Sequence, residues 1–541
     1  MKKIIYILVC MLLILTILPS VESINKNVIK NKIGKEDNDL KESDIDQYIS
    51  KYTVMREPPK LSDFKIDSSK PIPINTPSEF SWRNFNGKDW TTPIRNQGNC
   101  GSCWAFGSLA IYESIIKIRE ECAEFNPDLS EQYLLSCIKG AGSCHGGNSH
   151  TTFELLKSTS SQGNYHNGII PESCLEYEAN DKIPCSSKCE NWEELLVPIY
   201  DFGSWRVKGT TEDREAIKTK IMETGPVVGY IKSTKSFTIW GALNHDANDY
   251  YNNILPVIGI NHVIMIFGWK DIPSITSGGY WICKNSWGDG WGYNGFFNIA
   301  YGALNIDKFM ITWADYDPNS FNWSPIPITN GPYGIYLGQE LNLDASKSIG
   351  IEGEILDYFW NFGDGLSSSG KNTTHSYTDL GKFTIELTVT DNKDNIGNGT
   401  TNVWVQDTND PPNKPNISGR ISGHTGASYK YYFSSTDPEK NDVWYIVKWG
   451  DDEINNTYGP FKSGDEVMVR HHWDKSGSYT IRVKAVDVFN SESDWNTLNI
   501  QMPKNKEKEK SIFFNILPRL EHSYPLLFKL LQGFSRLNFI I

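Results

Sequence analysis

Two closely spaced cysteines, Cys100 and Cys103, are the strongest candidates for chemistry in this sequence. They lie in the stretch Gln97-Gly98-Asn99-Cys100-Gly101-Ser102-Cys103-Trp104. A C-x-x-C pair can be a redox dithiol, half of a zinc site, or a nucleophile beside a structural cysteine. Zinc needs a second close pair, which Cys185 and Cys189 match imperfectly, and a redox site needs a βαβ context that we do not find. The nucleophile is favoured over these two alternatives.

A cysteine nucleophile needs a base and a group that orients the base. His262 opens an apolar run over 263–267, and Lys284-Asn285-Ser286-Trp287-Gly288 follows it. The alternative for His262 is a buried core histidine with a structural partner. Asn285 can fix the imidazole by accepting a hydrogen bond from one ring nitrogen, and Trp287 can shield that bond from water. The pattern therefore favours His262 as the base.

The elements around these residues indicate an α+β unit over residues 76–315. Helical patterning covers 104–118, and Ser130 is a plausible N-cap for a helix over 131–137. Strand-like apolar runs appear later, at 263–267 and 280–283. Helices precede strands, as expected of an α+β fold rather than of alternating βαβ units.

From about residue 316 the sequence changes to short alternating strands with Gly, Asn and Asp turns, and it contains an internal repeat. The repeated positions are offset by 96: His375, Tyr377, Gly381, Phe383 and Asp391 recur as His471, Trp473, Gly477, Tyr479 and Asp487. We predict two β-sandwich modules, at 316–408 and 412–503. Pro411, Pro412 and Pro415 mark the joint, and we expect few contacts across it. None of the cysteines lies in these modules.

Composition excludes several classes of protein. The 541 residues are 39% hydrophobic and 13% aromatic, which argues against a mainly disordered or collagen-like chain. The formal net charge is −13. This charge argues against nucleic acid as the main partner and against electrostatic docking on an anionic membrane.

The N-terminus predicts export. Lys2 and Lys3 precede an apolar run over 4–18, so we interpret residues 1–23 as a signal peptide, with an uncleaved anchor helix as the alternative. Residues 24–75 are a pro-segment or a linker. The tail, 504–541, is an amphipathic docking helix or a disordered end. We therefore expect a secreted or cell-surface protein, in a compartment where cysteines can oxidise.

Five stretches in order resemble the papain family of cysteine peptidases. Cys100-Gly101-Ser102-Cys103-Trp104 matches the signature of that family. The others are Leu129-Ser130-Glu131-Gln132, Cys144-His145-Gly146-Gly147, Asn261-His262, and 285–292. The resemblance covers residues 76–315 and implies a two-lobed papain-like fold. It implies hydrolysis of protein or peptide substrates without a cofactor or a metal.

The resemblance also assigns individual residues. It makes Cys103 the nucleophile, His262 the general acid/base and Asn285 the orienter, with Gln97 as an oxyanion donor. The implied substrate contacts are Gly101, Gly146, Gly147 and Trp287. It implies disulfides between Cys100 and Cys144 and between Cys137 and Cys185; Cys174 and Cys189 are left as a third pair, with Cys122 and Cys283 unpaired.

The first β-module resembles the PKD domain, an immunoglobulin-like sandwich, on residues 358–365 and 375–391. The second module is similar to a divergent relative of that domain. Such modules imply spacing, adhesion or binding of an extracellular polymer. Acidic residues in their loops, Asp364 and Asp451-Asp452, are candidates for calcium, although turn formation is the better interpretation. Two other functions compete with an endopeptidase: a surface binding protein with a degenerate peptidase domain, and a cell-wall amidase or transpeptidase on the same fold.

Overall fold

A computed structural model describes residues 70–157, 167–242, 247–253, 255–423, 428–451, 454–473 and 475–502. The predicted signal peptide, the tail and all of the predicted pro-segment before residue 70 lie outside the described residues. The described residues form two compact units. The first unit contains the described residues up to Asn330, together with Asn342–His375 and Ile385–Thr401. The second unit contains Gly331–Leu341, Ser376–Thr384 and the described residues from Asn402 onward.

Residues 76–315 contain five helices and ten strands in the described part of the chain. The helices are α1 (Cys103–Arg119), α2 (Glu131–Ser136), α3 (Ser149–Lys157), α4 (Thr211–Glu223) and α5 (Lys235–Ala242). The strands are β1 (Glu79–Ser81), β2 (Gly142–Ser143), β3 (Gly146–Gly147), β4 (Asp201–Arg206), β5 (Val227–Ile231), β6 (Tyr250–Tyr251), β7 (His262–Asp271), β8 (Gly279–Lys284), β9 (Phe296–Ala300) and β10 (Met310–Asp315). None of the described helices is both long enough and apolar enough to cross a membrane.

One large sheet dominates the strand-rich part, in the order β4-β10-β5-β7-β8-β9-β6, with β1 paired to β7. The central strand, β7, is buried from His262 to Trp269. Helix α1 is buried along nearly its whole length and lies against the beginning of β7. A Cβ atom at Gly107 would lie 2.6 Å from Val263 Cγ1, so only glycine allows this close approach. The sheet and α1 therefore bring the start of the helix toward the start of β7.

Three disulfides cross-link the helical side of this unit. They join Cys100 to Cys144, Cys137 to Cys185, and Cys174 to Cys189. Cys103, Cys122 and Cys283 are buried and lie outside these bridges. The Cys100–Cys144 bridge immediately precedes α1, and the N–H of Gly101 donates to the Cys144 carbonyl at 2.8 Å. The chain that leads into the helix is therefore held by both a covalent bond and a hydrogen bond.

The segment after β10 packs onto the same core. The Tyr316 side chain is 2% exposed, and its ring centroid lies 6.2 Å from that of Tyr112 on α1. Trp323 packs edge-on against Phe125 at 4.8 Å and donates its indole N–H to the Tyr316 hydroxyl at 3.0 Å. Residues beyond 315 thus pack on Tyr112 of α1 and on Phe125, which follows that helix.

The first β-module contains seven strands: β11 (Tyr333–Tyr336), β12 (Leu341–Asp344), β13 (Ile355–Asn361), β14 (Ser367–Ser369), β15 (Asn372–His375), β16 (Gly381–Asp391) and β17 (Ile396–Gln406). They form a sheet in the order β11-β17-β16-β13-β14 and a β12-β15 pair. His375 Nε2 lies 2.7 Å from Asp364 Oδ2, and its ring stacks on Phe362 at 4.0 Å. Asp364 also accepts the N–H of Leu366 at 3.0 Å, so it stabilises a turn as well as bonding to His375.

The second β-module also contains seven strands in the described residues: β18 (Asn416–Gly419), β19 (Ser428–Ser434), β20 (Val443–Lys448), β21 (Asn456–Phe461), β22 (Val467–His472), β23 (Gly477–Asp487) and β24 (Asn496–Met502). They form the sheets β18-β19-β22 and β21-β20-β23-β24. His471 Nε2 lies 2.8 Å from Asp451 Oδ2, and its ring stacks on Trp449 at 4.3 Å. The histidine of the 96-residue repeat therefore makes the same two contacts in both modules, with an aspartate and an aromatic ring from the preceding loop. Asp452 lies outside the described residues.

The expectation of few contacts across the joint is wrong. Asn409 Nδ2 donates to Asp487 Oδ2 at 2.7 Å and to Ser491 Oγ at 2.9 Å, and Gln406 Nε2 donates to Asn441 Oδ1 at 3.2 Å. The ring of Tyr336 also packs on Phe489 at 5.3 Å. The prolines stiffen the joint, but the residues just before them carry polar side chains that reach the second module.

Candidate active site

Cys103 is the first residue of α1 and is fully buried. The first backbone N–H groups of a helix lack intrahelical acceptors and give its N-terminus a partial positive charge. Ser102, at the N-cap, does not cap the helix with its side chain. Its hydroxyl instead bonds to the Tyr177 hydroxyl at 2.6 Å. The helix start is thus a suitable place for a thiolate at Cys103.

His262 is the first residue of β7 and is fully buried. Its Nε2 lies 2.8 Å from Asn285 Oδ1, and its ring stacks on Trp287 at 4.5 Å with an interplanar angle of 30°. Because the amide oxygen can only accept, Nε2 carries the proton of this bond. The other ring nitrogen, Nδ1, is buried without a hydrogen-bond partner among the described residues. The neutral ring therefore keeps its basic nitrogen available.

Burial controls the protonation of His262. Removal of the ring from water lowers its pKa to about 4, and the hydrogen bond to Asn285 opposes this shift only in part. A nearby negative charge would favour the imidazolium and raise the pKa again. The site therefore holds a neutral imidazole unless a thiolate forms close to it.

Gln97 is fully buried and is bonded at both ends of its side-chain amide. Its Oε1 accepts from the Ser286 hydroxyl at 2.7 Å, and its Nε2 donates to the Cys100 carbonyl at 2.8 Å. Its backbone is also fixed, because its N–H donates to Ser286 O at 2.9 Å and its carbonyl accepts from Tyr177 at 2.8 Å. A primary amide nitrogen carries two hydrogens, so Nε2 can donate to a substrate while it keeps its bond to Cys100.

The predicted substrate-contact glycines lie at the same end of α1. Gly146 and Gly147 form β3, which pairs with β2. A Cβ atom at Gly147 would lie 2.4 Å from Trp104 Cδ2, and one at Gly101 would lie 2.5 Å from the Cys144 carbonyl oxygen. Packing inside the protein thus already requires glycine at both positions. The fourth predicted residue, Trp287, covers His262.

Sequence reasoning missed the buried charges beside the site. Lys284, next to Asn285, is 4% exposed and donates to the backbone and side-chain oxygens of Thr92, both at 2.9 Å. Glu113 accepts from the Thr92 hydroxyl at 2.8 Å and from Leu129 N–H at 3.0 Å. Burial lowers the pKa of Lys284 to about 8, and Glu113 opposes this shift. The sequence offered one signal for this buried charge, a lysine at the end of an apolar strand.

Sequence reasoning also missed Tyr177, which bonds to both Gln97 and Ser102. Its ring packs edge-on against Phe106 at 4.8 Å. It therefore holds the chain before α1 against the first turn of the helix. Nothing in the spacing of the sequence pointed to this residue.

Comparison with known proteins identifies similar chains for both halves. Residues 76–312 match the family model of the papain family cysteine protease, and residues 322–405 match that of the PKD domain. Cathepsin Z of Onchocerca volvulus is 34% identical over 234 residues, which cover 41% of this chain and 70% of that protein. The viral cathepsin of Autographa californica nuclear polyhedrosis virus is 31% identical over 284 residues, which cover 51% of this chain and 76% of that protein. A solved PKD domain of an M14-like peptidase from Thermoplasmatales archaeon SCGC AB-540-F20 is 46% identical, covers 18% of this chain and all of that one, and has a TM-score of 0.18.

Proposed function

The chain belongs to the papain family of cysteine peptidases, and on that premise we propose that it is an exported endopeptidase that cleaves peptide bonds through Cys103, His262 and Asn285. Its substrates are proteins or peptides. The observation that carries the proposal is the buried His262 ring, fixed by Asn285 and covered by Trp287, beside a helix that begins at Cys103.

The first step of the proposed mechanism converts the Cys103 thiol to a thiolate. The proton of the Cys103 thiol moves to His262 Nδ1, the nitrogen that Asn285 leaves available. The thiolate is stabilised by the N-terminus of α1, and the imidazolium by the thiolate. Because each charge supports the other, the pair offsets the burial that lowers the pKa of His262.

The thiolate then attacks the carbonyl carbon of the scissile bond, and the carbonyl oxygen becomes an oxyanion. The backbone N–H of Cys103 and an N–H of Gln97 Nε2 donate to this oxygen. Both donors are fixed before substrate binds, because Gln97 is held by Ser286 and Tyr177. Donors that are already oriented need no reorganisation in the transition state.

His262 then acts first as an acid and later as a base. Its imidazolium gives a proton to the leaving amine as the C–N bond breaks, which leaves a thioester on Cys103. The neutral ring next takes a proton from water, whose oxygen attacks the thioester carbon. The acid product leaves, and the thiol and imidazole are restored.

Covalent labelling tests this assignment. A peptidyl epoxide alkylates a thiolate, and the opened epoxide oxygen takes up a proton. The added mass should be found on Cys103 alone. Burial raises the pKa of Cys122 and of Cys283, so neither should carry a thiolate near neutral pH. Peptide mapping by mass spectrometry locates the label, and a label on Cys122 or Cys283 in the folded protein would contradict the assignment.

We further propose that the β-modules place the enzyme on a surface or a large substrate and take no part in the chemistry. His375 and His471 each form a hydrogen bond with an aspartate of their own module. The signal-like N-terminus and the three disulfides support export to an oxidising compartment. The predicted domain boundaries at 315, 408 and 412 remain part of this proposal.

Two truncated chains test whether the β-modules are needed for substrate placement but not for the chemistry. A chain that stops after residue 408 should hydrolyse a short fluorogenic peptide with unchanged kcat/KM but cleave or bind polymeric substrates less well. A chain that stops after residue 315 should melt at a lower temperature, because it loses the packing of Tyr316 on Tyr112 and of Trp323 on Phe125. Its folded fraction should still cleave the short peptide. A folded 315-residue chain without that activity would mean that the modules complete the active site.

A further inference from the structure

The hydroxyl of Tyr177 joins two points of the chain that lie beside the proposed oxyanion donors. It donates to the Gln97 carbonyl at 2.8 Å, and its oxygen lies 2.6 Å from the hydroxyl oxygen of Ser102, the residue before Cys103. A carbonyl oxygen can only accept, so the single Tyr177 proton is used in the bond to Gln97. Ser102 must therefore donate to Tyr177, and the three groups form a hydrogen-bond chain of fixed direction.

Gln97 begins a tight turn that ends at Cys100. The N–H of Cys100 closes the turn on the Gln97 carbonyl at 3.4 Å, which is longer than an ordinary N–H···O bond. Gly98 follows Gln97 with a φ of +59°, a conformation that glycine adopts without steric cost. The bond from Tyr177 is the shorter of these two bonds to the carbonyl. It therefore fixes the orientation of the peptide group between Gln97 and Gly98.

The side chain of Gln97 depends on the same turn. Its Nε2 donates one hydrogen to the Cys100 carbonyl at 2.8 Å, so the turn sets the direction of the second hydrogen. Its Oε1 is held from the other side by the Ser286 hydroxyl at 2.7 Å. A rotation of the Gln97 peptide group would displace the Cys100 carbonyl. The N–H that we assign to the oxyanion would be displaced with it.

Tyr177 is itself fixed by contacts outside this turn. Its ring packs edge-on against Phe106 of α1 at 4.8 Å, and its N–H donates to Glu172 Oε1 at 2.6 Å. The N–H of the next residue, Glu178, donates to Gln132 Oε1 on α2 at 3.0 Å. Burial raises the pKa of Tyr177, so its hydroxyl keeps its proton and remains a donor. Tyr177 is thus a rigid support for the Gln97 carbonyl.

We propose that Tyr177 is a positioning residue that orients the Gln97 amide toward the oxyanion. This inference rests on the function proposed above for Cys103 and Gln97. Oriented donors stabilise the transition state because they need no reorganisation, and a misplacement of about 1 Å can lower the rate about 100-fold. Tyr177 acts through Gln97, so its loss lowers the rate of the chemical step and not the binding of substrate.

Tyr177→Phe tests this role, because it removes the hydroxyl and keeps the ring against Phe106. For a fluorogenic peptide, kcat should fall about tenfold with little change in KM, a smaller loss than in Gln97→Ala because the donor remains. Alkylation of Cys103 by iodoacetamide releases iodide and needs no oxyanion donor, so its rate and pH dependence should not change. Tyr133→Phe is the matched control. The Tyr133 hydroxyl is buried without a hydrogen-bond partner among the described residues, so kcat should stay as in the wild type.

A double-mutant cycle separates positioning from a general structural role. In the Gln97→Ala background, Tyr177→Phe should lower kcat no further, because no amide remains to be oriented. A purely structural role would lower kcat equally in both backgrounds and would slow alkylation. If Tyr177→Phe fails to fold, Ser102→Ala, which removes the donor that directs the Tyr177 proton, allows the same cycle with a smaller loss.

Two results would overturn the proposal while the proposed function stands. One is a loss of turnover in Gln97→Ala with none in Tyr177→Phe, and the other is a pair of additive losses. Unchanged turnover in Gln97→Ala would instead overturn the oxyanion assignment on which the role of Tyr177 rests.

Discussion

Cys103→Ser should abolish peptide hydrolysis while the fold persists. A serine hydroxyl is not ionised by an imidazole at rest, so the resting ion pair at the start of α1 is lost and the remaining nucleophile is weak. By analogy with the removal of other catalytic nucleophiles, kcat should fall by roughly 10⁴-fold or more. Turnover of a fluorogenic peptide measures the loss, and circular dichroism checks the fold. Substantial peptidase activity in this variant would exclude Cys103 as the nucleophile.

Matched variants show whether the loss is specific. Cys283→Ser changes another buried cysteine that lies outside the disulfides, and it should remain active. His262→Ala should be as severe as Cys103→Ser, and the double variant should be scarcely worse than either, since the two residues act as a unit. Asn285→Ala should lower kcat less, because orientation of the His262 ring contributes only part of the reduction in the activation barrier. Additive losses from Cys103→Ser and His262→Ala would contradict the proposed cooperation.

Gln97→Ala should lower kcat by about 100- to 1,000-fold, which corresponds to about 3 kcal/mol for one oxyanion donor. The reason is geometric: its amide is fixed at both ends, so an N–H of Nε2 is oriented before the oxyanion forms. Steady-state kinetics should show the loss in kcat with little change in KM, because this interaction forms in the transition state. Unchanged turnover in Gln97→Ala would reject the role.

Ser286→Ala provides the comparison for Gln97. It removes the hydroxyl that holds Gln97 Oε1 at 2.7 Å but leaves the donor itself in place. We therefore expect a smaller loss than in Gln97→Ala. If Ser286→Ala were as damaging as Gln97→Ala, the effect of Gln97 would arise from the local structure that it shares with Ser286 and not from donation to the oxyanion.

The fold could be predicted wherever the sequence signal is local. The helical pattern after Cys103 indicated α1, and the apolar run after His262 indicated the strand that we call β7. The alternation in the C-terminal half indicated its strands, and the 96-residue offset indicated two equivalent modules. In each case the periodicity of the side chains reports which face of the backbone is buried. A neighbour far along the chain is not needed to interpret such a pattern.

The parts that could not be predicted depend on contacts between distant residues. Tyr177 bonds to both Gln97 and Ser102, but no local sequence pattern predicts this. A tyrosine that makes such contacts cannot be distinguished in the sequence from any other tyrosine in a loop. The same holds for Lys284, whose acceptors on Thr92 are 192 positions away. The prolines at 411–415 indicated a joint with few contacts across it. The side-chain contacts that the residues before them make with the second module depend on the three-dimensional arrangement of the strands.

The pairing of Gln97 with Ser286 has a consequence for the order in which a newly made chain becomes active. These two residues are 189 positions apart, and their backbone hydrogen bond spans the same distance. A chain synthesised from its N-terminus exposes Cys103 long before the ribosome has added His262 and Ser286. Under the proposed mechanism the thiol has no base until then and the amide of Gln97 has no anchor, so the emerging chain should cleave neither itself nor its neighbours.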